Sequence, residues 1–497
     1  MSHGHAGLGE STPESVFYDR GRFGRLFPAL PAFAADTNLI RDALKELGAP
    51  KGPMDAMDKL DDPIKLITEA ALSANNPDNP TMTAGFTFVG QFIDHDMTFD
   101  PTSSLARQQD PESIRNFRIP ALDLDSVYGG GPTASPHLYD QTIDGGRTTM
   151  LTEKIPGSKQ LTIDNRSRFD LPRNSQMTAL TGDPRNDENL IISQFHLAWL
   201  RFHNAVVKDV EAELGAGHTA GEIFSEAQRV VRWHYQWLIL HEFLPKTVGT
   251  ETATDVLANG PKHFNWRNEP YIPVEFSVAA YRFGHSQVRP SYRANFGTSA
   301  TDPSKQFFAL FFKPGDDHPT DPEDLRGSKR ASRRFIDWQT FFDFGDGKSR
   351  NNKKIDTKLS SILFALMGTA QGEPTSLATR NLIRGLTMKV PSGQRVAHAM
   401  QLPVLGPGDL DELKDLHLEK RTPLWFYILR EAELTANGEH LGPVGGRIVA
   451  ETIFGLIKGD DQSFINQDPD WEPTYGQSSS FTAVDLLKAA GVVGALA

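Results

Sequence analysis

The chain has 497 residues, 51 of them Lys or Arg against 63 Asp or Glu, for a formal charge of −12, and it contains no cysteine. The missing thiols exclude disulfides, thiolate zinc and Fe–S sites, thiolate haem ligation and cysteine nucleophiles, and the acidic balance argues against nucleic acid or an anionic membrane as partner. With 38% hydrophobic and 23% charged residues, and a length that buries about three quarters of the open chain's surface, the composition is that of a soluble globular protein needing no covalent staple.

Residues 1–15 read MSHGHAGLGESTPES, without a basic patch followed by an apolar run, so no secretory leader is expected. No window reaches ~18 uninterrupted apolar residues, so no transmembrane segment is expected either. The expected location is cytoplasmic, or secreted without a classical leader. Residues 1–55 read as an N-terminal arm and residues 56–497 as one compact domain. Period-two alternation is scarce and helical spacing recurs, which predicts a mainly α fold with long irregular connections and little β structure.

The first segment that carries chemistry is FTFVGQFIDHDMTF, with Gly90 to Asp96 at its centre. A histidine between two carboxylates in an apolar frame is costly to bury without partners. In a helix each residue turns by about 100°, so Gln91, Asp94 and His95 share one sector. Asp96 lies about 140° from Gln91 and roughly 200° from Asp94. The segment can thus serve two sites, one with an amide, a carboxylate and an imidazole, the other with a carboxylate suited to a hard cation.

Downstream, ALDLDSVYGG brings Asp123 and Asp125 to the same side of a loop predicted to be extended, with Ser126 and backbone carbonyls adding oxygen. That is calcium-type chemistry, although an Asp-x-Asp pair also occurs in ordinary turns. Next, GDPRNDE sets Arg185 and Glu188 three apart, facing one way at a helix start. The helix itself is predicted over Glu188–Glu213, with Ile191, Phe195, Ala198, Phe202, Ala205 and Val206 on one face, Asp187 as its beginning and Gly215 as its end.

Further helices are predicted over Ala227–Phe243, stopping at Pro245, over Thr357–Ala370, and over the shorter Asp409–His417 and Gly446–Ile457. In YRFGHS, Arg282 precedes His285 by three, and Gly284 permits close backbone approach; the histidine is either a metal ligand or a loop cap. Residues 315–334 form a polar stretch read as a solvated loop.

Taken in order, GQFIDHD, LDLDSVYGG, GDPRNDE leading into RFHN (201–204), YRFGH, and RNLIRG (380–385) resemble one family, the animal-type haem peroxidases of the peroxidase–cyclooxygenase superfamily. The resemblance runs from residue 90 to 385, and the lack of cysteines and of a leader is closer to a bacterial member. It implies a large haem peroxidase domain that reduces hydrogen peroxide and oxidises a small electron donor through a ferryl haem. It implies His95 as distal base, Gln91 as distal amide and Arg185 as distal cation. It implies Asp94 and Glu188 as carboxylates able to form ester bonds to haem b, His285 as iron ligand, Asn381 as its hydrogen-bond partner, and Arg282 and Arg384 as partners of the propionates. It implies a calcium site made by Asp96, Asp123, Asp125 and carbonyls at Ile119 and Ala121.

The sequence also departs from the family's pattern. Asn189 follows Glu188 where halide-oxidising members have a methionine that bonds to haem, so iodide, bromide, thiocyanate or phenols are expected as donors rather than chloride. Ile119 and Asp125 stand where hydroxyl residues are common in the calcium loop. The fatty-acid dioxygenases of the same superfamily carry a radical-forming tyrosine three residues before the proximal histidine; that position is Arg282 here, with Tyr281 one step earlier. Two alternatives remain at this point: a fatty-acid dioxygenase, and a non-haem phosphohydrolase drawing metal ligands from His95, His196, His203, His234 and His241.

Overall fold

The computed structural model describes residues 21–101, 104–215, 217–264, 270–369 and 371–494. Helix α1 (Asn38–Leu47) starts where the Thr37 hydroxyl accepts from the Ile40 amide and ends at Gly48. A side chain at Gly48 would meet the backbone of Thr379 at 2.5 Å, so this glycine lets α1 dock on a later helix. Helix α2 (Gly85–Met97) begins at a second close approach, since a Cβ on Gly85 would sit 2.3 Å from the Phe342 ring. Its residues are buried on nearly every side, the mark of a central helix rather than a surface one.

Helix α3 (Leu190–Leu214) is capped by Asn189, whose side chain accepts from the amides of Ile191 at 3.1 Å and Ile192 at 2.9 Å. The predicted start at Asp187 is therefore corrected: Asp187 closes a preceding 3-10 turn (Pro184–Asp187) and pairs with Arg173 at 2.6 Å. Gly215 ends the helix as expected, in a left-handed conformation at φ 72°. Helix α4 (Ala220–Leu238) opens with a Thr219–Glu222 capping box. It does not stop at Pro245. A π turn (Ile239–Phe243) carries the helix on into Leu244–Val248, and this widened turn directly before Pro245 accommodates a residue with no N–H to donate.

Helices α5 (Thr250–Asn259), α6 (Leu377–Thr387), α7 (Leu424–Ala436) and α8 (Pro443–Gly459) complete the main set. The helix predicted over Thr357–Ala370 is absent from its described part, which holds only a 3-10 turn at Ser361–Phe364. Ser360 donates to the Val288 carbonyl at 2.5 Å and Ser361 to Asp55 at 2.5 Å. These serine bonds to distant groups compete with the helix. The Asp409–His417 segment is likewise a kinked 3-10 stretch, Pro407–Leu413.

Among the described residues, eight short strands form four two-stranded ladders. β1 (Phe23–Gly24) runs parallel to β5 (Ile272–Pro273); β2 (Asp78–Thr83) pairs with β8 (Asn351–Lys353), β3 (Glu153–Lys154) with β4 (Phe169–Asp170), and β6 (Ser291–Asn295) with β7 (Phe307–Leu310), all antiparallel. The fold is mainly α, as expected. Residues 21–55, the described part of the predicted arm, join the body through β1, through Leu44 and Leu47 in the core, and through Leu26 and Phe27 amides donating to buried Glu275; residues 1–20 lie outside the described residues. The 315–334 loop is polar but not wholly solvated, since Asp324 and Arg334 are buried at its far end.

One hydrophobic cluster extends from Phe23 to Ala490. At its centre Phe92 of α2 meets Phe195 (5.4 Å between ring centres) and Trp199 (6.1 Å) of α3 and Tyr235 (6.0 Å) of α4. This packing sets the rotation of α2, and with it the direction of every polar side chain that α2 carries. Among the described residues no helix is long and apolar enough to cross a membrane.

Candidate functional site

The polar residues of α2 divide as the helical geometry requires. His95 is buried, with Nδ1 at 2.8 Å from Asn186 Oδ1. The same amide offers its nitrogen to His196 Nδ1 at 2.9 Å. Asn186 thus accepts from His95 and donates to His196, which leaves the lone pair of His95 on Nε2. That nitrogen stands 3.7 Å from Glu188 Oε1. Burial, reinforced by the charge of Arg185, holds the imidazole neutral with a pKa of about 3. Gln91 is clamped at both ends, donating to Glu188 and accepting from Asn189 at 3.3 Å.

Arg185 comes from the 3-10 turn before α3 rather than from the helix. Asp183 caps that turn and takes the Arg185 amide at 2.9 Å, Nε at 3.0 Å and Nη2 at 2.8 Å. Arg185 Nη2 also donates to the carbonyls of His95 at 3.1 Å and Thr98 at 2.5 Å, and Nη1 lies 3.9 Å from Asp94. Burial works against a charged Asp183, but the hydrogen bonds and charge of Arg185, with the charge of Arg118, keep its carboxyl below the usual range.

A second group forms on the other wall. His285 ends a 3-10 turn (Ala280–His285), and its Nδ1 is 2.7 Å from the Asn381 amide nitrogen. Arg282 Nη1 donates to Asn381 Oδ1 at 3.2 Å, while Arg282 is braced by Ser277 and Trp425. With its oxygen held by Arg282, Asn381 presents N–H to His285 Nδ1, which places the proton of the neutral ring on Nε2. The two walls are tied where the Tyr281 hydroxyl donates to the Gly90 carbonyl of α2 at 3.2 Å. Asp94, Arg185, Arg282 and Arg384 line one cleft between them. With Asp100 also on the lining, three arginines face two carboxylates, an excess of positive charge that suits an anionic ligand; burial and the neighbouring Arg282 push Arg384 down to about 10. A Cβ on Gly284, beside His285, would meet no atom within 4 Å, so the glycine faces open space rather than close backbone.

The residues predicted for a cation also meet. Carboxylate oxygens of Asp96, Asp123 and Asp125 lie within 4.8 Å of one another. The loop is not extended as expected: Leu122 (φ 53°) and Leu124 (φ 65°) are left-handed, a conformation that costs a branched residue energy. Leu124 and Ser126 amides and the Ser126 hydroxyl donate to Asp96. Ile119 and Ala121 are buried in the same loop. Burial, then mutual repulsion, lifts the Asp123 carboxyl to about 7 and Asp125 well above its ordinary value. Among the described residues neither oxygen of Asp125 meets a hydrogen-bond donor. Two buried carboxylates and the half-buried Asp123, with the oxygens of Asp125 left unsatisfied, fit a hard divalent cation.

The histidines of the phosphohydrolase alternative do not converge. His196 bonds Asn186; His203 bonds Tyr128 and the Thr148 carbonyl; His234 bonds Val230 and the Thr474 and Tyr475 amides; His241 stacks on Trp237. Among the described residues the aspartate trio is the one cluster with metal-ligand geometry. Three participants escaped the sequence reading. Asn186 and Asp183 sit inside a motif already singled out, and the Asp-Pro pair at 183–184 is a recognisable cap. Nothing in the sequence points to Arg118.

A family model for animal haem peroxidases matches residues 108–385. The chain belongs to the animal haem peroxidase family. Thyroid peroxidase of Rattus norvegicus is 27% identical over 213 residues, covering 41% of this chain and 23% of that protein; the Homo sapiens protein is 31% identical over 222 residues with the same coverage. The chain thus matches under a quarter of the length of these relatives. Among solved structures, peroxidase A from Dictyostelium discoideum superposes with a TM-score of 0.60 at 15% identity, over 100% of this chain and 98% of that one. A fatty acid alpha-dioxygenase of Oryza sativa gives 0.54 at 14% identity, over 89% and 78%. These likenesses establish the fold of the family.

Proposed function

We propose that the protein is a haem peroxidase, reducing hydrogen peroxide at the expense of a small donor. The observation that carries this reading is the pair of amide-held histidines, His95 on Asn186 and His285 on Asn381, on walls joined by Tyr281. Haem bound in the cleft supplies the redox centre that takes oxidising equivalents from peroxide and passes them to a donor.

The chain's own residues do the rest. His285 would hold the haem iron through Nε2, with the ring proton on Nδ1 and the Asn381 oxygen accepting it in place of Arg282. Arg282 and Arg384 on the cleft lining would meet the anionic propionates. His95 Nε2 takes the proton from one peroxide oxygen and returns it to the other, and Arg185 stabilises the negative charge that builds as the O–O bond parts. Asp94 lines the cleft and Glu188 stands 3.7 Å from His95 Nε2; these are the two carboxylates this reading assigns to ester bonds. Asn189 is committed to capping α3, so it offers no further link to haem. Iodide, bromide, thiocyanate and phenols are the donors this predicts.

Tyr281 favours peroxidase over dioxygenase. It is buried, stacked on Phe276 with ring centres 4.6 Å apart, and its hydroxyl is committed to Gly90. Protein expressed with haem supply is expected to show a Soret band and peroxide-dependent oxidation of iodide or a phenol. Oxygen uptake with linoleate and no such turnover would make it a dioxygenase; a colourless protein would remove both.

In the same reading the aspartate trio holds calcium and stiffens the end of α2. Asp96→Ala is expected to lower both the calcium content, by elemental analysis, and the melting temperature. Unchanged calcium would place the cation elsewhere.

A further inference from the structure

Arg118 stands between the aspartate trio and the arginine of the cleft. It is 3% exposed. Its Nε donates to Asp183 Oδ2 at 2.8 Å and its Nη2 to the Gly182 carbonyl at 2.6 Å. Nη1 stands 3.4 Å from Asp125 Oδ1 but outside bonding geometry, so both groups keep an unmet partner requirement. Asp183, fully buried, is shared between Arg118 and Arg185. The ring of Phe99 packs against both guanidiniums, 4.7 Å from Arg185 and 5.9 Å from Arg118. The order of charges is therefore Asp125, Arg118, Asp183, Arg185, alternating in sign.

We propose that Arg118 is a positioning residue that couples cation binding at Asp96, Asp123 and Asp125 to the hold on Arg185. The proposal rests on the reading of that trio as a cation site. A divalent cation on Asp125 withdraws this carboxylate from Arg118 and repels the guanidinium, pressing it onto Asp183. One carboxylate has a limited charge to share, so its grip on Arg185 loosens and the Arg185 charge becomes more available to the cleft. Thermodynamic reciprocity requires the converse: a change at Arg185 must alter the affinity for the cation.

The test uses full-length protein loaded with haem, stripped of divalent ions with a chelator and titrated with calcium chloride in a calorimeter. Arg118→Leu removes a positive charge next to a ligand carboxylate, so calcium should bind about tenfold more tightly, within the usual range for coupled sites. A merely structural arginine predicts the opposite, a loosened site. Arg118→Lys keeps the charge but lacks the fork that reaches two partners, and should fall between. Arg185→Leu leaves Asp183 to draw Arg118 away from Asp125, so calcium should tighten about threefold, although Arg185 is no part of the trio. If Arg118→Leu fails to fold, Arg185→Leu decides alone, because that side chain is 23% exposed. Loosened binding in folded Arg118→Leu, or an affinity indifferent to Arg185→Leu, overturns the coupling while leaving the cation site intact. Unsubstituted protein that binds no calcium removes the site and the coupling together.

Discussion

His285→Ala protein, purified from cells supplied with haem, is expected to be colourless or to show a displaced Soret band. The imidazole is presented by a rigid turn: Trp425 fixes the Arg282 carbonyl at 3.1 Å, Arg282 is anchored on Ser277 at 3.0 Å, and Asn381, 2% exposed, holds the ring itself at 2.7 Å. His285 is only half-buried, so its truncation removes no core side chain and the fold should survive. A folded, haem-free product separates loss of a ligand from loss of structure; circular dichroism reads the first condition and the absorption spectrum the second. A normal ferric spectrum in this variant would assign the iron to another side chain.

His95→Ala protein should keep its haem but react with peroxide about 10²–10⁴-fold more slowly, the usual contribution of a positioned acid–base group. The base is ready over the whole physiological range. Asn186 accepts the hydrogen bond from Nδ1–H, and burial together with Arg185 keeps the ring neutral down to about pH 3. The unprotonated form is present above that pKa and lost as pH falls through it. Burial lifts the Glu188 carboxyl, 3.7 Å from Nε2, to about 7, so the pH profile is read in the Glu188→Gln background, where stopped-flow rates should be level from pH 8 to about 5 and decline only in stronger acid. A His95→Ala rate equal to that of the parent, or a Glu188→Gln rate that halves near pH 6.5, would take His95 out of the proton transfer.

The rotation of α2 shows how far local pattern carries. The apolar residues Phe88, Phe92 and Ile93 demanded burial, and a helix under that demand necessarily sends His95 and Asp96 to different neighbours. The pairing of Asp123 with Asp125 was legible for a similar reason, although the left-handed turns at Leu122 and Leu124 were not, because this loop is held by bonds from Leu124 and Ser126 to Asp96, 28 and 30 residues earlier in the chain. The failed helix over Thr357–Ala370 teaches the converse. Its spacing was helical, but Ser360 and Ser361 found partners at Val288 and Asp55, and a local pattern carries no information about such distant acceptors.

Helical spacing was sufficient to state the mainly α architecture, and the order of five short motifs was sufficient for the family resemblance. The chemistry proposed at His95, Arg185, His285 and the three aspartates is what that resemblance implies, in keeping with what each side chain can donate, accept or ligate. Only the tertiary structure decided that Asn186 selects the tautomer of His95, that Asp183 grips Arg185, and that Arg118 reaches from Asp183 to Asp125. The physical reason is that a buried charge or proton is placed by whichever partners the packed core brings within about 3 Å, and those partners lie at separations in the chain that no short motif spans.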